Sequence, residues 1–369
     1  MSAAVAHMMF RKLTLVHKAF CNGTIAIEKR FASGINSLIY SEYGDPNNVI
    51  QLQTDNKIPT LDENCLRIEM LASPVNPADI NTIQGIYPVK PPLPAVGGFE
   101  GVGKVIEMGK RTSNIKIGDL VIPAINSLGT WRSQVVCPAE HVSVIPEGTP
   151  LLFAATLRVN TCTSYRMLAD FQDLEAGDTV IQNAANSGAG QMAIQIAAAR
   201  GLKTINVVRD RPNIDELKDH MYSLGANIVV TDSELRMSSP EKLLPGLPRP
   251  KLGLNAVGGK SAISLMKYLQ HGGTMVTYGG MSKQPVTVPT GMLIFNNIKV
   301  VGYWMTRWHD RNPNSVEAER MFDELCQWAK EGRLQIPRHR LVNILDYKTA
   351  IEGAMADFTT EKQILVFDQ

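Results

Sequence analysis

Residues 179–211 read TVIQNAANSGAGQMAIQIAAARGLKTINVVRDR, and three kinds of local structure follow one another in that stretch. Thr179-Val-Ile-Gln-Asn-Ala predicts a short buried strand, and Asn186-Ser187-Gly188-Ala189-Gly190 a tight turn with little side-chain bulk. From Gln191 to Arg200 the apolar residues Met192, Ala193, Ile196 and Ala197 recur at helical spacing, and Gly201 follows where a helix end favours positive φ. A second strand, Thr204-Ile-Asn-Val-Val, runs into Arg209-Asp210-Arg211.

Strand, glycine turn and helix in this order form the βαβ unit that binds a dinucleotide. Backbone N–H groups and the positive helix end meet a pyrophosphate only where no side chain intervenes. The pattern is Gly188-x-Gly190-x-x-Ala193, with a small third residue where helix and strand pack closely. The second strand ends where the adenosine ribose lies. An acid there favours NAD and a nearby arginine accommodates a 2′-phosphate. Asp210 is flanked by Arg209 and Arg211, and two guanidiniums outweigh one carboxylate, so the cofactor is read as NADP(H).

The pattern then repeats. Gly225 stops a helix; Asn227-Ile-Val-Val-Thr, Leu252-Gly-Leu-Asn-Ala and Thr274-Met-Val-Thr-Tyr278 read as strands, with a helix over 260–270. Strands alternating with helices mean a doubly wound parallel sheet. Residues 232–251, with four prolines, read as a surface loop, 298–303 as the last strand, and 316–330 as an amphipathic helix presenting Ala318, Phe322, Leu325 and Ala329.

Upstream, from 37 to about 146, helical periodicity is missing. Short runs at 50–52, 65–70, 103–108, 120–125 and 133–136, separated by Gly, Pro, Asn and Asp, read as an all-β, barrel-like domain. Residues 76–103 between them are too rich in Pro and Gly to be regular, and a loop of that length is usually functional. Residues from about 336 return to this domain, with Gln363-Ile-Leu-Val-Phe completing a strand.

Composition excludes several classes. A net charge of +2, from 37 Lys and Arg against 35 Asp and Glu, gives no basic stripe for nucleic acid. No apolar run reaches the ~18 residues of a spanning helix. Cys21, Cys65, Cys137, Cys162 and Cys326 lie scattered, which fits a reducing compartment and neither a disulfide framework nor a zinc cage. Residues 1–34 carry Arg11, Lys12, Lys18, Lys29 and Arg30 against the single acid Glu28, with apolar residues between. That is the composition of a mitochondrial transit peptide, and Arg30-Phe31-Ala32-Ser33 resembles a matrix-processing site; a basic disordered tail is the alternative.

Asn76-Pro-Ala-Asp, Gly98-Phe-Glu-Gly-Val-Gly and Lys116-Ile-Gly-Asp119-Leu-Val, ahead of a Rossmann half, resemble the medium-chain dehydrogenase/reductase superfamily. In its zinc alcohol dehydrogenases a Cys stands near the start of the loop and a His precedes the Glu; here no Cys is near and Phe99 holds the His position, so no catalytic metal is expected. Ile83-Gln-Gly-Ile-Tyr87-Pro-Val-Lys-Pro-Pro-Leu-Pro, Asn183-Ala-Ala-Asn-Ser-Gly-Ala-Gly, Asn206-Val-Val-Arg-Asp-Arg-Pro, Asn255-Ala-Val-Gly-Gly-Lys and Gly272-Gly-Thr-Met-Val-Thr-Tyr278-Gly-Gly-Met-Ser-Lys-Gln-Pro narrow this. Together they resemble the mitochondrial trans-2-enoyl-thioester reductases, also called enoyl-[acyl-carrier-protein] reductases.

The resemblance implies an α/β fold of zinc-free medium-chain dehydrogenase/reductase architecture. A transit peptide over 1–34 precedes a β-rich, barrel-like (GroES-like) catalytic domain over 35–160 and 336–369, with a doubly wound parallel-sheet Rossmann domain over 161–335. It implies NADPH-dependent reduction of the α,β double bond of a trans-2-enoyl thioester, carried on acyl carrier protein, by a homodimer in the mitochondrial matrix. By residue type alone Tyr87 reads as a loop aromatic held beside Pro88; its place in the matched motif implies the proton donor, since a phenol of pKa about 10 stays protonated at pH 7. Carried over residue by residue, Asn160, Asn186, Ser187, Gly188, Ala189 and Gly190 line the cofactor, as do Arg209, Asp210 and Arg211. So do Tyr278, Gly279, Gly280 and Met281, then Tyr303, Trp304, Met305 and Lys362, although Trp304 by itself reads as a core aromatic. Thr161 stands where the family has Pro, and Tyr303 where it more often has Phe. A quinone or enone reductase of the same superfamily, needing no Tyr87, and a non-catalytic crystallin-type NADPH-binding protein are the alternatives.

Overall fold

The computed structural model describes residues 34–57, 59–112, 114–313 and 315–367, so the presequence reading of 1–34 lies outside it except for Gly34. Eight strands come first: β1 (Ile35–Tyr40), β2 (Ile50–Asp55), β3 (Cys65–Pro74), β4 (Ala95–Val96), β5 (Val102–Met108), β6 (Leu120–Pro123), β7 (Gln134–Pro138) and β8 (Val142–Val144). Six follow in the middle: β9 (Thr179–Gln182), β10 (Lys203–Val208), β11 (Ile228–Thr231), β12 (Leu252–Asn255), β13 (Thr274–Thr277) and β14 (Lys299–Gly302). The last two, β15 (His339–Asn343) and β16 (Lys362–Val366), close the chain.

The middle six form one sheet in the order β11-β10-β9-β12-β13-β14, every pair parallel. The order reverses beside β9, whose C-terminal end therefore opens on a crevice, the place where such sheets bind ligands. Strands β9 and β12 are buried at every residue, as helices on both faces require. The remaining strands are mostly antiparallel: β2-β1-β4 make a small sheet, and β15-β16-β3-β5-β6-β8 a larger one that β7 joins through β3. The return is as expected, with β16 antiparallel to β3. Helix Val316–Lys330 is present, burying Ala318, Leu325 and Ala329.

Three expectations give way to local hydrogen bonding. The helix after the glycine turn spans Gly188–Ala199, starting three residues before Gln191, because Ser187 caps it by accepting from the Gly190 N–H at 3.1 Å. Within 76–103, Pro77–Ile83 is a helix: Pro77 takes the first position, where its missing N–H costs nothing, and Asp79 accepts from the Asn76 N–H at 2.8 Å. Within 232–251, Asp232–Met237 and Pro240–Leu243 are short helices. The first is held by a capping box in which the Thr231 N–H donates to Glu234 at 2.7 Å and the Glu234 N–H to Thr231 Oγ1 at 3.2 Å. Proline and glycine content hid both cases.

Candidate active site and cofactor cleft

The glycine turn is shaped by close approach. A Cβ on Gly190 would lie 2.6 Å from the carbonyl oxygens of Ala184 and Ala185, and one on Gly188 would lie 3.2 Å from the Asn160 amide. Both glycines thus let the N-terminus of the helix Gly188–Ala199 present backbone N–H groups, the arrangement that suits a pyrophosphate. Gly190→Ala is expected to cost about 1–3 kcal/mol of stability through overpacking against rigid backbone, read as a lower thermal midpoint. An unchanged midpoint would show that the turn relaxes freely.

Asn160 belongs to a π-helical turn, Leu157–Thr161, that interrupts the helical run 151–170, so the expected domain division at 160 falls inside this run. Thr161, in place of the family's Pro, donates its hydroxyl to the Thr156 carbonyl at 3.2 Å within this turn. The Asn160 amide donates to Asn76 Oδ1 at 3.1 Å and to Glu100 Oε1 at 3.4 Å. Glu100 also accepts from Asn76 Nδ2 and from the Val159 N–H, each at 2.8 Å, and Lys362 Nζ donates to Asn76 Oδ1. A buried polar cluster from four separate segments therefore stands directly behind the glycine turn.

Burial raises the Glu100 carboxyl, while Lys362, Asn76, the Val159 N–H and Arg158 pull it down. The same burial lowers Lys362, offset by Glu100 and Asp79. Asp79, enclosed between the N–H groups of Asn76 and Phe99, is pushed up to about 7, chiefly by burial. The groups facing Glu100 are amide and ammonium donors, which repel a cation. Among the described residues no group of three or more His, Cys, Asp or Glu could hold a metal ion. This chemistry does not fit a zinc site.

Tyr87 lies just beyond helix Pro77–Ile83, half-buried, with Phe99 at 6.0 Å between ring centroids and Trp304 at 5.9 Å edge-on. Trp304 Nε1 donates to Tyr87 Oη at 2.7 Å. An indole N–H is only a donor, so the phenol oxygen accepts and its own proton is not used in this bond. Burial raises the Tyr87 phenol, with opposing contributions from Trp304 and Thr306, so it stays protonated at neutral pH. Trp304 is thus not enclosed as a core aromatic; it is half-buried and ties the segment after β14 to the Tyr87 loop.

The other expected positions fall into three groups. Tyr278 brings its hydroxyl close to Ser187 without completing a hydrogen bond, and burial pushes it up to about 12, so an enclosed donor faces the turn. Gly279 approaches the Ala256 carbonyl, Gly280 faces open space, and Met281 is exposed. Tyr303 instead turns to the core: its ring packs on Phe171, its hydroxyl lies 2.9 Å from buried Met305 Sδ, and burial drives the phenol far up. Asp210 is engaged by the Ser233 hydroxyl and by the Ser233 N–H at 3.3 Å, which holds its carboxyl below the usual range, while Arg209 and Arg211 meet Asp357 and Phe358 instead.

Two family models match, "Alcohol dehydrogenase GroES-like domain" over 62–147 and "Zinc-binding dehydrogenase" over 188–319. The rat mitochondrial enoyl-[acyl-carrier-protein] reductase is 49% identical over 333 residues, covering 90% of this chain and 89% of that one. The chain belongs to the mitochondrial enoyl-[acyl-carrier-protein] reductase family. A heterodimeric mitochondrial 2-enoyl thioester reductase from Candida tropicalis superposes with a TM-score of 0.83 at 30% identity, covering 90% of this chain and 100% of that one. An Etr1p complex with NADP and crotonyl-CoA gives 0.83 at 32% identity, covering 90% and 99%.

Four residues that surround these positions carry no assignment from sequence: Asn76, Asp79, Glu100 and Thr306. Asn76 and Glu100 lie inside motifs already quoted, and the signal was there in kind, since a carboxylate and an amide between apolar residues have to find each other when buried.

Proposed function

We propose that this family member reduces the α,β double bond of trans-2-enoyl thioesters with NADPH, Tyr87 donating the proton to Cα. The observation that carries this is the Trp304 hydrogen bond to Tyr87 Oη, 2.7 Å long, which directs the phenol's own proton away from the indole. When bound, the dihydronicotinamide supplies the hydride that adds at Cβ. The chain's residues do the rest. The helix beginning at Gly188 would hold the pyrophosphate and Arg209 and Arg211 the 2′-phosphate, while Asn160 and Lys362 would line the cofactor. Tyr87 polarises the thioester oxygen as charge develops and then gives up its proton.

The chain is an NADPH-dependent mitochondrial oxidoreductase. We place it in the matrix, acting on substrate presented by acyl carrier protein, with the cofactor held by residues 161–335 and the acyl chain by 35–160 and 336–369. Among the described residues no helix is long and apolar enough to cross a membrane. The test is cofactor oxidation with crotonyl and longer enoyl thioesters against quinones. Turnover of thioesters is the expected result, and turnover of quinones alone would favour the enone-reductase reading.

Assembly as a homodimer is supported by β14, which among the described residues is an edge strand of the six-stranded sheet, and by Leu293, Ile294 and Phe295 just before it, which are 48%, 66% and 76% exposed. Pairing with its own copy about a two-fold axis would cover both the edge and these side chains. Light scattering at micromolar concentration is expected to give a dimer for the native chain and a monomer for Ile294→Glu with Phe295→Glu. A native monomer would overturn the assembly.

A further inference from the structure

The two arginines just after β10 are gripped by a segment from far along the chain. The Arg209 guanidinium lies 4.0 Å from the Phe358 ring centroid and that of Arg211 5.4 Å from it. Arg211 Nη1 donates to the Phe358 carbonyl at 3.3 Å, and Arg209 Nη1 lies 3.6 Å from Asp357 Oδ1. Phe358 sits at φ 57°, a left-handed conformation rarely adopted by aromatic residues, and remains 45% exposed. A residue whose backbone is strained and whose ring is exposed gains little from burial. Its contacts are instead with two cations that would otherwise repel each other, and Arg211 is indeed held below its usual range by burial and by Arg209.

We propose that Asp357 and Phe358 form the specificity-determining clasp for the cofactor's 2′-phosphate. Phe358 holds both guanidiniums in place before binding, and Asp357 acts as a placeholder anion that the phosphate displaces. This rests on the reading that Arg209 and Arg211 receive that phosphate. Ordering two long side chains in advance removes an entropy cost that binding would otherwise carry, and it does so only for a ligand bearing the phosphate. The Asp357 side chain is 87% exposed, so it leaves the arginine at little cost and offers almost nothing to a free 2′-hydroxyl. The segment runs on into β16, whose first residue, Lys362, reaches the buried cluster behind the glycine turn. One stretch, 357–362, thus touches both ends of the cofactor cleft.

Phe358 and Asp357 are positioning residues, so the test is equilibrium binding, by calorimetry, of NADPH, NADH, adenosine 2′,5′-bisphosphate and 5′-AMP. Phe358→Ala is expected to weaken the two phosphate-bearing ligands about tenfold and the other two less than about twofold, the scale of two exposed cation–π contacts. Phe358→Leu, which keeps apolar packing without the aromatic face, should fall between it and the native chain. Asp357→Asn should tighten NADPH a few-fold at low salt, a gain that disappears as ionic strength rises. Equal weakening of all four ligands by Phe358→Ala, no weakening at all, or weaker NADPH binding in Asp357→Asn would overturn the clasp. The Arg209→Ala, Arg211→Ala double variant is the reference. If it fails to separate phosphate-bearing ligands from the others, the phosphate reading of the arginines falls, and the clasp with it. If it separates them and Phe358→Ala does not, only the clasp falls.

Discussion

Tyr87→Phe is expected to lower kcat by about 10²- to 10⁴-fold while NADPH affinity stays nearly unchanged, the signature of a lost proton donor. The substitution removes one oxygen and leaves the ring that meets Phe99 and the edge of Trp304, so the packing survives. It does leave the Trp304 N–H without its acceptor, but Trp304 is half-buried and water can replace the phenol oxygen. A loss concentrated in KM or in thermal stability would mark Tyr87 as structural. Its pH signature is equally specific. Burial holds the Tyr87 phenol above its ordinary value, so the acid form persists as pH rises through neutrality, and the decline it causes should begin only beyond the usual phenol pKa of about 10. A fall in kcat at neutral pH that vanishes in Tyr87→Phe would contradict this assignment of the charge state.

Replacing Arg209 and Arg211 together by Ala is expected to weaken NADPH binding by about 10²- to 10⁴-fold and NADH binding hardly at all. Each charge-assisted hydrogen bond to the phosphate is worth about 1.5–3 kcal/mol, and the double variant removes both. The one anion paired with these arginines is a weak competitor, because the Arg209–Asp357 pair is solvent-exposed. Asp210 does not favour NADH either, because Ser233 already engages its carboxylate. A titration in which both cofactors weaken equally would sink the phosphate assignment.

What the sequence made legible was whatever is local. The order of strand, glycine turn and helix in 179–211 is written in spacing and side-chain size, and the parallel sheet follows because each later strand repeats it. The helix start was misplaced at Gln191 because glycine disfavours helix interiors, whereas the Ser187 cap decides where the helix begins. The helix Pro77–Ile83 was hidden in the same way, by a proline that is an obstacle inside a helix and an asset at its first position.

The contacts that make a site are not local. Trp304 and Tyr87 lie 217 positions apart, Lys362 and Asn76 lie 286 apart, and Arg211 and Phe358 lie 147 apart. No periodicity encodes such pairs, so Trp304 read by itself as core and Phe358 as nothing in particular. Tyr87 and Lys362 were reached only through the family motifs.

The most direct measurement is the fate of a labelled hydride. The native enzyme, given NADPH deuterated at the transferable C4 position and crotonyl thioester in ordinary water, is expected to yield butyryl thioester with deuterium at Cβ and solvent-derived hydrogen at Cα. Unreacted crotonyl thioester, deuterium at Cα, or an intact double bond with the carbonyl reduced instead would contradict the account.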